Sequence, residues 1–150
     1  EIGSGLVGSE MCIRDRVYTT VKTHQNFSNI GVVLLSDKND IYMMNNFQVS
    51  EKDNIKSHIY GIKRALSFVK NMKPLYAKND MEILVPEDIE LKKFQESIAN
   101  DEYITMVSKQ LDINVVSKEN LLPNDDYFKM IAKHQLKNII NPIFNIKERE

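Results

Sequence analysis

The sequence contains no tryptophan, a single cysteine, five glycines and four prolines in 150 residues. The lone cysteine, Cys12, excludes an internal disulfide and a thiolate-built metal site. No apolar run approaches the roughly 20 residues that a membrane helix requires, so no membrane partner is expected, and a soluble, cytoplasmic location is the expectation. There is no glycine-rich phosphate loop and no nucleophile elbow, which excludes the usual nucleotide-cradling and serine-hydrolase signatures. His24, His58 and His134 are not paired at helical spacing, so zinc is not expected, and all three imidazoles are read as solvent-facing or capping groups. An excess of one charge sign is also missing. The net charge is −1, so attraction of the whole molecule to nucleic acid or to an anionic surface is not predicted.

The first sixteen residues stand apart. Leu6 to Asp15 back-translates codon by codon into a transposase-type sequencing-library adapter, and Glu1-Ile2 fits the end of the primer that precedes it. Residues 1–16 are therefore expected to be adapter-derived rather than native protein and are set aside from fold reasoning, with 17–141 as one domain and 142–150 as a tail. On this reading the native start lies upstream and is missing. Cys12 is lost with the leader, and so is all thiol chemistry. Taking Glu1, Glu10, Asp15, Arg14 and Arg16 out of the 21 acidic and 20 basic side chains brings the charge to zero.

What is present is a clear change of period. Val17 to Val21 is short, β-branched and aromatic, and predicts a strand. His24 to Asn29 reads as a polar turn, Gly31 to Leu35 as a second strand, and Ser36 to Asp40 as a hairpin turn. Ile41 to Met44 returns as a third strand, extended by Phe47 and Val49. Ile55, Ile59, Ile62, Leu66 and Val69 then fall at helical spacing, with Asp53 or Ser50 as cap and Pro74 as stop. Met81 to Val85 predicts a strand closed by Pro86. Ile89, Leu91, Phe94 and Ile98 predict one helix, and Tyr103, Ile104, Val107 and Leu111 a second. Ile113 to Val116 is a fifth strand. Pro123 to Asp126 opens a final helix carrying Phe128, Ile131, Leu136 and Ile139. The predicted fold is α/β, in the order β-β-β-α-β-α-α-β-α: a mixed five-stranded sheet with helices on both faces.

That order resembles ribonuclease H-like domains over nearly all of Val17 to Asn138. Tyr18-Thr19-Thr20 is similar to the family's Tyr-Thr-Asp first strand, and Gly31-Val32-Val33-Leu34 to its second strand. Asp53 to Leu66 is similar to its Thr-Asn-Asn-Arg-x-Glu helix, Met81 to Val85 to its fourth strand, and Pro123 to Ile131 to its last helix. The resemblance implies four carboxylates around two divalent metals that hydrolyse a phosphodiester. By this alignment the four positions are Thr20, His58, Pro86 and Phe128, none of them an acid. Mg²⁺ demands hard oxygen ligands, so the resemblance implies a degenerate, non-catalytic member with no cofactor. The alternative is a divergent Mg²⁺-dependent nuclease that draws on Glu87, Asp88, Asp125 or Asp126; otherwise these acids cap helices.

Lys56, Lys63 and Lys70 recur at seven-residue spacing on one face of the long helix. They are the candidate contacts to a nucleic-acid backbone, against the plainer reading of a solvated helix face. Tyr18, Tyr42 and Tyr60 are candidates for base stacking if exposed and for the core if not. The expectation for function is therefore a module that binds nucleic acid or a protein partner.

Overall fold

The computed structural model describes residues 15–36, 40–72, 80–116 and 130–134. Five strands form one mixed sheet: β1 (Asp15–Thr23), β2 (Ser28–Leu35), β3 (Ile41–Val49), β4 (Asp80–Leu84) and β5 (Asp112–Val116), arranged β3-β2-β1-β4-β5. The first three pair antiparallel as a meander. β4 joins β1 in parallel and β5 joins β4 in parallel, each reached through helices. Those helices are α1 (Asn54–Asn71), α2 (Leu91–Ala99) and α3 (Glu102–Val107), and a further helical segment lies at 130–134.

Two cores form because the sheet is covered on both faces. On one face Val17, Val32 and Leu34 meet Ile59, Ile62, Ala65, Leu66 and Val69 of α1, together with Phe94, Ile98, Ile104 and Val107 from α2 and α3. On the other face Tyr18, Val33, Leu35 and Leu84 meet Ala132. Every residue of β2 is buried as a result, which is why its apolar run is continuous rather than alternating.

Several boundaries differ from the sequence reading, each for a physical reason. β1 begins at Asp15, two residues inside the leader set aside above, because the ladder continues: Arg16 lies opposite both Leu35 and Glu82 and forms a part-buried ion pair with Glu82. β2 begins at Ser28, not Gly31, because its polar residues are satisfied within the fold. Ser28 donates to the carbonyl of Glu51, and Asn29 accepts from the Gln48 amide at 2.7 Å. The turn shrinks accordingly to His24–Phe27, closed by a backbone hydrogen bond of 2.7 Å. Asp101 separates the two middle helices by accepting from the Ile104 amide at 2.9 Å, an N-cap that ends any continuation from α2. Asp53 caps α1 in the same way, accepting from Lys56 at 2.9 Å. Residues 37–39 of the second turn and, of the predicted final helix, Pro123 to Lys129 and the part that carries Leu136 and Ile139 lie outside the described residues.

Gly61 sets how closely α1 approaches the sheet. A β-carbon there would stand 3.0 Å from Ile30 Cγ2 and 3.1 Å from Thr19 Cγ2. Gly61→Val is therefore expected to force the helix outward and destabilise the fold by about 1–3 kcal/mol, read from the urea midpoint.

Candidate functional site

Where α1 crosses β1, its first turns bring His58 down onto the sheet. The side chain is about 2% exposed, and Nδ1 lies 2.8 Å from the hydroxyl of Thr19. Strand alternation decides which threonine makes this bond. Val17 packs in the α1 core and Tyr18 in the opposite one, so Thr19 faces α1 and Thr20 faces away. The resemblance placed an acid at Thr20; the geometry gives the contact with His58 to Thr19. Pro86, just beyond β4, is buried beside them. Thr19, Thr20, His58 and Pro86 converge on a cavity of about 220 Å³, floored by Tyr18, Leu84 and Val85 and rimmed by Glu87, Asp88 and Lys133.

His58 is thus neither solvent-facing nor a cap, contrary to the sequence reading. Burial lowers its pKa from 6.5 to about 4, against the opposing pull of the Asp88 carboxylate, so the imidazole is neutral at pH 7. Glu87 and Asp88 stand on the rim of the cavity. Glu87 is exposed and lies 3.7 Å from Lys133, while Asp88 accepts from the side-chain amide of Asn54 at 2.9 Å. Glu90, the N-cap of α2, makes no side-chain capping bond. Among the described residues no three His, Cys, Asp or Glu side chains are grouped to hold a metal ion. Among the described residues the donor set around the cavity is a hydroxyl pair, a neutral imidazole and two adjacent rim carboxylates, which does not fit two hard dications in octahedral oxygen shells. Phe128, Asp125 and Asp126 lie outside the described residues.

The lysine stripe is only partly free for a ligand. Lys56 and Lys70 are exposed on α1, whereas Lys63 bonds Asp101 at 2.8 Å and sits 5.7 Å from the Tyr60 ring centre. Lys56, Tyr60 and Lys63 line a second hollow of about 370 Å³, which also takes in Glu51, Asn100 and Asp101. Lys70 stands two turns away from it. Tyr60 is 44% exposed and Tyr42 47%, while Tyr18 is in the core. Sequence reasoning did not find Thr19, Asn54 or Lys133. Strand alternation could have found Thr19, whereas the other two reach the site through contacts that no spacing rule encodes.

Three antiparallel strands followed by two helix-linked parallel strands, with α1 laid across β1 and β2, is the ribonuclease H fold. No protein-family model and no curated protein matches the chain. Solved structures do. Ribonuclease H1 from the halophilic archaeon Halobacterium salinarum NRC-1 is similar at 16% identity with a TM-score of 0.57, over 83% of this chain and 98% of that one. LC11-RNase H1, isolated from compost by a metagenomic approach, is similar at 14% identity with a TM-score of 0.63, over 88% of this chain and 99% of its own. The same enzyme in complex with an RNA/DNA hybrid is similar at 16% identity, with a TM-score of 0.62 and coverage of 87% and 99%. Among the described residues no helix is long and apolar enough to cross a membrane.

Proposed function

We propose that this chain is a non-catalytic ribonuclease H-like domain that binds nucleic acid as part of a larger assembly. One observation carries the reading: where the resemblance calls for metal-holding carboxylates, the fold sets a neutral imidazole hydrogen-bonded to a hydroxyl, beside a proline. LC11-RNase H1, with which the chain shares its fold, takes an RNA/DNA hybrid, and this supports nucleic acid as the ligand class. The divergent-nuclease alternative draws on Glu87 and Asp88, and on Asp125 and Asp126 outside the described residues. It is the weaker reading, because the two described acids come from one loop and each already has a partner in Lys133 or Asn54.

Lys56, Lys63 and Lys70 supply the proposed backbone contacts. Binding to duplex, hybrid and single-stranded probes across a salt series tests this. Affinity should fall as salt rises, and Lys56→Glu, Lys63→Glu and Lys70→Glu together should flatten the log–log slope by about 2 to 3. Binding at low salt no better than that of an inert protein rejects the reading. An unchanged slope in the triple variant rejects the stripe.

A further inference from the structure

The cavity at the end of β1 and β4 has no part in the lysine stripe, yet its chemistry is specific. At about 220 Å³ it is smaller than the roughly 300–1,000 Å³ of ordinary ligand pockets, so it admits a nucleobase rather than a whole nucleotide. His58 is about 2% exposed and lines it. Thr19 bonds Nδ1 at 2.8 Å, and the neutral imidazole is one of the polar groups that line the space. Tyr18, Val21, Val85 and Pro86 supply apolar walls.

Charge decides what can enter. Glu87 and Lys133 offset one another on the rim at 3.7 Å, whereas Asp88 is held by the Asn54 amide, a neutral donor that leaves its negative charge in place. A phosphate would face that carboxylate, and the cation on the rim, Lys133, is already set against Glu87. A neutral ring bearing N–H donors would instead be held by it, because hydrogen bonds to ionised acceptors are the strong ones.

We infer that this pocket takes a single unpaired nucleobase carrying an exocyclic amino group, with that group on Asp88 and the ring edge on His58 and the threonine hydroxyls. The inference rests on the nucleic-acid reading above and concerns its single-stranded ligands. Adenine, cytosine and guanine carry the amino group; uracil and thymine do not. Extruded bases are read in this manner, by hydrogen bonds to the polar edge between apolar walls.

The test pairs two measurements on the whole chain. In the first, oligocytidylate and oligoadenylate should bind about tenfold more tightly than oligouridylate, and Asp88→Asn should erase that preference. In the second, cytidine alone should shift the imidazole nitrogen resonances of His58, and uridine should not. Equal affinity for all oligonucleotides with no response at His58 overturns the base pocket while the nucleic-acid reading stands. A cytidine-specific response at His58 without oligonucleotide binding keeps the pocket and removes the nucleic-acid reading. Silence in both measurements overturns both.

Discussion

Lowering the pH from 7 to 4 is expected to remove stability through His58. Its pKa is about 4 in the folded protein against 6.5 as the ordinary value. The unfolded chain therefore binds the proton first, and stability is fully present above pH 6.5. It declines as pH falls through that window and is lost once the pH passes below the folded value. The difference corresponds to about 3 kcal/mol, a large share of the total for a domain of this size. Urea midpoints measured from pH 7 down to pH 4 read it directly. His58→Gln should lose this part of the acid slope, while other carboxylates keep theirs. A wild-type and a variant slope that superimpose would mean that the imidazole is open to water and not held against Thr19.

Phe94→Ala is expected to be the most damaging single change in the α1-side core, at about 3–5 kcal/mol. Phe94 is fully buried and packs in the cluster that joins α2 and α3 to α1 and the sheet. The consequence reaches the lysine face. Asp101, at the start of α3, both caps that helix and pairs with Lys63. Loosening α2 should therefore lower the unfolding midpoint and also free Lys63. Denaturant unfolding together with the salt slope of nucleic-acid binding would separate the two effects. A loss of less than about 1 kcal/mol would mean that the two short helices are not part of the core.

The order of strands and helices was readable because each element carries its own period. The continuous run Gly31 to Leu35 marked a strand buried on both faces, and the spacing from Ile55 to Val69 marked α1. What escaped the sequence was whatever depends on distant partners. Ser28 and Asn29 look like turn residues until Glu51 and Gln48 satisfy them inside a strand. His58 looks like a surface histidine until the chain brings Thr19, 39 residues earlier, to its ring. Thr20, His58 and Pro86, which the resemblance singled out, line one cavity, and the neighbouring Thr19 joins them because it is the threonine that bonds His58. The lysines were visible as a stripe. That Asp101 would claim one of them was not, because the pairing depends on where α3 docks.

The most direct test of the account is metal-dependent cleavage. Incubated with a labelled RNA/DNA hybrid and Mg²⁺ or Mn²⁺, the protein is predicted to retain the hybrid at low salt and leave it whole. Cleavage that requires the metal and disappears in Glu87→Gln or Asp88→Asn would contradict the account, because the two rim carboxylates would then be acting as ligands.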